Sequence, residues 1–165
     1  MTKLEEGRTY LLKGVDGDKK AVKRAYEIFS SLRGNGASDA LIEAYYGSTL
    51  ALLGRDATKP IEKADNAQEG LDSLNQAVSM NPDHKEIRLL RSNVCLHLPD
   101  SFFQCSSIAI EDYAYLLDHY KKNPNYLSEQ QVQDMYNELH DAFHQIEQSD
   151  QAKRVLKRLT ELVTK

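Results

Sequence analysis

His140 and His144 stand four residues apart with Asp141 beside the first, so on a helix both imidazoles share one face next to a carboxylate. Those are zinc-ligand types. The residues between the histidines, Asp-Ala-Phe, lack the Glu of a His-Glu-x-x-His zinc helix, and no third ligand is identifiable, so packing and surface roles are the reading. Cys95-x-His97, with Cys105 eight residues further on, is the other metal-like cluster, but its spacing fits no ribbon or finger. Pro99 and a helix start at Ser101 separate the two thiols, which read as small buried hydrophobes. Asp16-Gly17-Asp18, with Glu27 eleven residues after Asp16, has the outline of a calcium loop. Lys20, Ala21, Lys23 and Arg24 then fall where oxygen ligands and a Gly are needed. Gly34-Asn35-Gly36 follows no strand and reads as a helix stop, not a phosphate cradle. Glu111 and Asp112 are adjacent and project to different sides of a helix. The chain is therefore read as non-enzymatic, with no metal and no cofactor.

The elements that carry these residues follow from composition and spacing. The chain has 165 residues, of which 41% are hydrophobic and 28% charged, with only eight Gly and four Pro. That is enough for one domain with a real core, and too apolar for a disordered chain. No apolar run approaches the length of a membrane span. Acidic Glu5 and Glu6 near the start argue against a secretory leader, and two cysteines argue for a reducing, cytoplasmic setting. A net charge of −4 excludes the usual footprint for nucleic acid. The charge is segregated. Residues 1–91 balance 14 bases with 14 acids, 92–152 carry ten acids and two bases, and 153–165 carry five bases and one acid.

Apolar residues recur at three and four nearly everywhere, as in Leu139, Ala142, Phe143 and Ile146, and no alternating stretch supports a strand. Asp83 with Glu86, Ser101 with Gln104, Ser128 with Gln131 and Asn66 with Glu69 have capping-box spacing. Gly54, Asn81-Pro82, Pro99 and Asn123-Pro124 are stops. These signals predict eight helices, near 2–13, 18–33, 38–53, 66–80, 84–98, 102–122, 129–147 and 150–164. Short connections pair them as antiparallel hairpins at 2–33, 38–80, 84–122 and 129–164.

Within the hairpins, Tyr136-x2-Leu139-His140-x2-Phe143 followed by Ala152-x3-Leu156-x2-Leu159 resembles a tetratricopeptide repeat. Tyr46-Gly47-x2-Leu50-x3-Gly54 with Gly70-x3-Leu74-x2-Ala77 and Pro82 matches in pieces, as do Ala109-x3-Tyr113-x2-Leu116 and Ala21-x3-Ala25-x2-Ile28. The small-residue marks at 21, 70, 109 and 152 are unevenly spaced, and His140 stands where the family places Gly or Ala. The resemblance implies an all-α fold of four antiparallel hairpins stacked as a right-handed α-solenoid. It implies a non-catalytic scaffold that binds a peptide or helix of a partner protein in a concave groove. The family's carboxylate clamp of Lys, Asn and Arg is matched here by Asn93 alone, with Ser48 and Asp141 at the corresponding places. A secretion-type or general co-chaperone is the alternative within the same resemblance. A metal-dependent or catalytic helical protein using His140, Asp141 and His144 is the alternative from another class.

If the first helix of each hairpin lines the groove, Leu41, Tyr45, Ser48 and Leu52 come from the second hairpin. Glu86, Leu89, Asn93 and His97 come from the third, and Asp134, Asn137, Asp141 and His144 from the fourth. One end is then apolar with a Tyr anchor and the other acidic, which suits an amphipathic segment with Lys or Arg at one end. The basic last helix reads as an end cap. Residues 55–69 exceed a 34-residue repeat by about eleven and, being polar, are expected as an exposed excursion with one turn after Pro60. Leu74→Asp should place an unpaired charge in the second hairpin's core and abolish cooperative unfolding in a thermal melt.

Overall fold

The computed structural model describes residues 1–34 and 39–165, so Asn35, Gly36 and the start expected for the third helix lie outside the described residues. The described residues form helices joined by short connections, without strands. The helices are α1 (Lys3–Val15), α2 (Lys19–Arg33), α3 (Ala40–Asp56), α4 (Pro60–Met80) and α5 (Lys85–His97). Then come α6 (Asp100–Phe103), α7 (Ser106–Lys122), α8 (Glu129–Ala142), a 3₁₀ turn at Phe143–Gln145 and α9 (Asp150–Val163). No described helix is long and apolar enough to cross a membrane. The chain forms two compact units, Met1–Arg91 and Ser92–Lys165, with the boundary inside α5.

Helix starts are set by side-chain caps. Ser128 and Gln131 form the expected reciprocal box, and Thr2 with Glu5 forms another at the head of α1. Asp18 accepts from the Ala21 N–H, and Asp39 from those of Leu41 and Ile42. The Ser101–Gln104 spacing does not start a helix. Gln104 instead adopts a left-handed conformation at φ 54° and separates α6 from α7. Asp100 bridges the break, accepting from the N–H groups of Ser106 and Glu147 at 3.0 and 3.2 Å. The expected helix at 129–147 stops at Ala142 and tightens into the 3₁₀ turn, so His144 leaves the face it was expected to share with His140.

The first unit turns on the pairing of α3 with α4. A Cβ on Gly47 would lie 2.6 Å from the Gly70 carbonyl oxygen, and one on Gly70 would lie 2.5 Å from that of Gly47. Only glycine at both positions permits this approach of two backbones. Gly54 repeats the contact two turns on, where a Cβ would stand 2.9 Å from the Lys63 carbonyl. The surplus stretch is therefore not an excursion: 55–56 finish α3, and 60–69 are the first turns of α4. Pro60 opens that helix at its first position, where its missing N–H costs nothing. Its polar residues are the solvent side of a helix whose Ala67 and Gly70 lie buried against α3. On the other flank of α3, Phe29 of α2 stacks on Tyr45 at 5.1 Å, and Gly7 of α1 leaves room for the Phe29 ring. Leu11, Ala25, Phe29, Tyr45, Tyr46 and Leu50 make this core.

In the second unit α9 packs on α7 and α8. Tyr113, Leu116, Met135, Leu139, Val155 and Leu159 are buried there, as the helical spacing requires. The α3–α4 contact carries the clearest consequence. Gly70→Ala should gain helix propensity yet lower the unfolding free energy by about 1–3 kcal/mol, because the methyl meets backbone that cannot rotate away. Deleting 57–67, far from being neutral, should remove the Gly54 contact and abolish a cooperative urea transition; a wild-type melt for either variant would refute the close approach.

Candidate binding surface

Of the residues expected to line a groove, those on α3 sit inside the first unit. Tyr45 and Ser48 are buried, and Leu41 and Leu52 are partly buried against the core. The reason is the flanking just described: α3 is covered by α2 and α1 on one side and by α4 on the other. Covered on both flanks, α3 keeps Tyr45 and Ser48 away from solvent and leaves Leu41 and Leu52 partly open. The Ser48 hydroxyl, enclosed without a hydrogen-bond partner, is a consequence of that burial.

The structure does bring two of the expected residues together. The Tyr45 hydroxyl donates to the Glu86 carboxylate of α5. Arg8 of α1 completes the cluster: its Nε donates to the Tyr45 oxygen at 2.6 Å, its Nη2 donates to both Glu86 oxygens, and its guanidinium lies 5.3 Å from the Tyr45 ring centre. Charge-assisted bonds of this kind are stronger than neutral ones. They hold the Arg8 proton well above its ordinary range, through Glu86 first and Tyr45 second. Burial, followed by the Glu86 carboxylate, pushes the Tyr45 phenol well up. The cluster thus ties α1, α3 and α5 into one unit. Nearby, Arg33 of α2 donates to Glu43 at 2.7 Å and lies 4.6 Å from the Tyr46 ring, while Glu43 itself is fully buried. The Tyr46 phenol is pushed up to about 12, by burial foremost and then by Tyr26.

The second unit holds a parallel arrangement. Asn93 of α5 donates to Glu138 of α8, and the buried Tyr113 hydroxyl of α7 donates to the other Glu138 oxygen at 2.7 Å. Burial, followed by the Glu138 charge, raises the Tyr113 phenol far above its usual value. Asn93 is thus engaged with the acid of a neighbouring helix, and His97 bonds the Asn93 carbonyl at 2.7 Å within its own. Leu89 is partly buried.

The remaining four residues are exposed. Asp134 accepts from Gln130 at 2.8 Å and Asn137 from Gln133 at 3.0 Å, both one turn back on α8, while Asp141 faces the His140 ring at 3.4 Å. His144 follows in the 3₁₀ turn with its ring edge-on to Phe143. The opposite side of α8 is buried through Val132, Met135 and Leu139, so α8 is sharply two-sided. Tyr136, Phe143 and Ile146, also expected inward, are only half-buried. Among the described residues no three His, Cys, Asp or Glu side chains converge to hold a metal ion. Cys95 and Cys105 are buried and form no disulfide, and the Cys105 Sγ lies 3.7 Å from the Cys95 carbonyl oxygen.

Arg8 and Glu138 carry the two polar clusters, and spacing alone had not marked them. The signal was present: Arg8 lies between Leu4 and Leu11 on the inner stripe of α1, and Glu138 lies between Met135 and Ala142 on that of α8. A charge on an apolar stripe needs a partner inside. Comparison of the chain with protein-family models, with curated proteins and with solved structures finds no match.

The tyrosines give a pH signature. Unfolded phenols ionise near about 10, while Tyr46 holds its proton to about 12 and Tyr45 and Tyr113 are also raised well above the ordinary value. A group whose folded pKa is raised stabilises fully below its unfolded pKa and loses that contribution as pH rises. Unfolding free energy should therefore be flat up to about pH 9 and fall from about pH 10 upward. Tyr45→Phe should flatten part of that fall and cost about 1–2 kcal/mol at neutral pH through the lost bonds to Glu86 and Arg8. Urea titrations at stepped pH, with phenolate absorbance alongside, measure both.

Proposed function

We propose that the chain is a non-catalytic binding scaffold of the tetratricopeptide-like kind, with α8 presenting an acidic row to an amphipathic, basic segment of a partner protein. One observation carries this reading. Asp134, Asn137 and Asp141 follow one another along α8 in full exposure, while the other side of the same helix is buried. The surrounding stretch 92–152 holds ten acids against two bases, so the row stands in a negative field. Two polar clusters with catalytic residue types are engaged in joining helices. Arg8, Tyr45 and Glu86 satisfy one another, and so do Asn93, Glu138 and Tyr113. The glycine-mediated approach of α3 and α4 supports the repeat-like part of the reading, since paired helices of that family meet through small residues.

The partner's lysines or arginines would meet Asp134 and Asp141, while its apolar anchors would use the half-buried rim of Tyr136. Charges at such a rim set association rate and specificity more than affinity, and salt screens them. Affinity capture from a cell extract at low and high salt, read by mass spectrometry, should yield a partner retained at low salt. An Asp134→Lys/Asp141→Lys variant should melt like the wild type and bind that partner at least about tenfold more weakly, with a reduced salt dependence. Unchanged affinity and unchanged salt dependence in that variant would refute the assignment of the acidic row.

A further inference from the structure

The first unit is neutral in total but not end to end. The α1–α2 and α3–α4 connections lie at the same end of it. Arg55, at the end of α3, donates to the Gly14 and Val15 carbonyls at the end of α1, at 2.7 and 3.2 Å. Lys63, in the first turn of α4, donates to the Arg55 carbonyl at 2.7 Å. The start of α2 is there too, because Val22 packs where a Cβ on Gly14 would fall. Residues 12–23 and 54–63, which make up this end, contain seven Lys or Arg and four Asp or Glu. The rest of residues 1–91 contains seven bases and ten acids. Two helices end here and two begin, so their dipoles largely cancel and the side chains set the sign. The end is positive.

It is also apolar at its tips. Leu12 is 68% exposed, Val15 52% and Ile61 75%, in a chain whose other aliphatics are mostly covered. Leu12 and Val15 share one face of the last turns of α1, and Ile61 projects from the first turn of α4. Around them Lys13, Lys19, Lys20, Lys23 and Lys59 are all exposed. Of the nearby acids, Asp18 caps α2 and Asp56 pairs with Arg55 at 2.9 Å. Asp16 and Glu62 are exposed, so seven bases against four acids leave this end an excess of three positive charges. Exposed aliphatics at an end with an excess of lysines match the two layers of an anionic bilayer surface, where charge draws the protein in and side chains of this size enter the headgroup boundary.

We propose that this end of the first unit is a docking surface for an anionic lipid bilayer, with Leu12, Val15 and Ile61 as the inserting side chains and Lys19, Lys20, Lys23 and Lys59 as the electrostatic contacts. The binding is peripheral and reversible, because three aliphatic side chains and a few lysines give two weak signals and not an irreversible anchor. The surface is built from first-unit residues alone, and its argument does not use the α8 row.

Co-sedimentation of the full chain with phosphatidylcholine vesicles, with and without about 30% phosphatidylserine, tests it. The wild type should partition onto the anionic vesicles at low salt, at least about tenfold more than onto neutral ones, and release as salt is raised. Lys19→Glu/Lys20→Glu and Leu12→Ser/Ile61→Ser replace exposed side chains and should melt normally, yet each should lower partitioning about tenfold. No partitioning of the wild type, or equal partitioning of the Leu12→Ser/Ile61→Ser variant, would overturn the proposal. So would a loss seen only in Lys153→Glu/Lys157→Glu, which would move the contact to the basic face of α9. Salt-sensitive binding to soluble polyglutamate with none to vesicles would overturn it in favour of an acidic protein.

Discussion

The first unit depends on one close approach, that of the α3 and α4 backbones across Gly47 and Gly70. With no Cβ on either glycine the helices come near enough for α4 to cover one flank of α3 along most of its length. Covering that flank, while α1 and α2 cover the other, leaves α3 enclosed. Enclosure then dictates what its polar residues must do. Thr49 turns its hydroxyl back to the Tyr45 carbonyl at 2.8 Å, Glu43 takes Arg33, and Tyr45 takes Arg8 and Glu86. Each of these bonds reaches along α3 itself or out to another helix, so satisfying buried polar groups and fixing the helix arrangement are the same act. On the opposite flank Phe29 stacks on Tyr45, where Gly7 of α1 leaves room for its ring.

Much of this was legible before any coordinates. The three-and-four spacing located the helices, and Ser128 with Gln131 gave the start of α8 to the residue. Leu74 and Leu139 were assigned inward and are fully buried. Gly47 and Gly70 match as repeat positions, but Gly54, which reads as a stop, lies inside α3 and packs against α4. The stretch 55–69 is the exception, because its low apolar content resembles a loop. A helix that packs through Ala67 and Gly70 needs no large apolar residue in its early turns, so its stripe is nearly invisible to a count of hydrophobes. The Asn66–Glu69 spacing, a start signal elsewhere, fell inside a helix that Pro60 had already opened.

The surface residues were harder. Tyr45 and Ser48 were assigned to an open groove because they follow the first-helix pattern of a repeat, and that pattern does not say which helix covers which. Glu86 and Asn93 are polar and half-exposed, which suits a binding face. Their partners Arg8 and Glu138 lie far away in sequence, and only tertiary structure brings them near. Pattern can place a residue on a helix face. It cannot place the neighbour that occupies the face opposite.

Charge is where pattern and packing combine most usefully. A charge on an apolar stripe, as at Arg8 and Glu138, costs free energy unless a partner meets it inside, so in this chain such residues mark clasps between helices. A charge on a polar stripe costs nothing and is free to answer to the surroundings, as Asp134 and Asp141 are. Sorting the charged residues in this way removes the clasps from the count of groups available for recognition. What is left is unevenly distributed: acids along the outside of α8, and lysines at the end of the first unit where Leu12, Val15 and Ile61 stand exposed. A net charge of zero over residues 1–91 conceals that excess, because acids elsewhere in the unit cancel it in the sum while the end keeps its own field within a Debye length. The properties that decide association therefore belong to surfaces a few helical turns across, and the fold, by fixing which helix ends lie together, sets the sign of each.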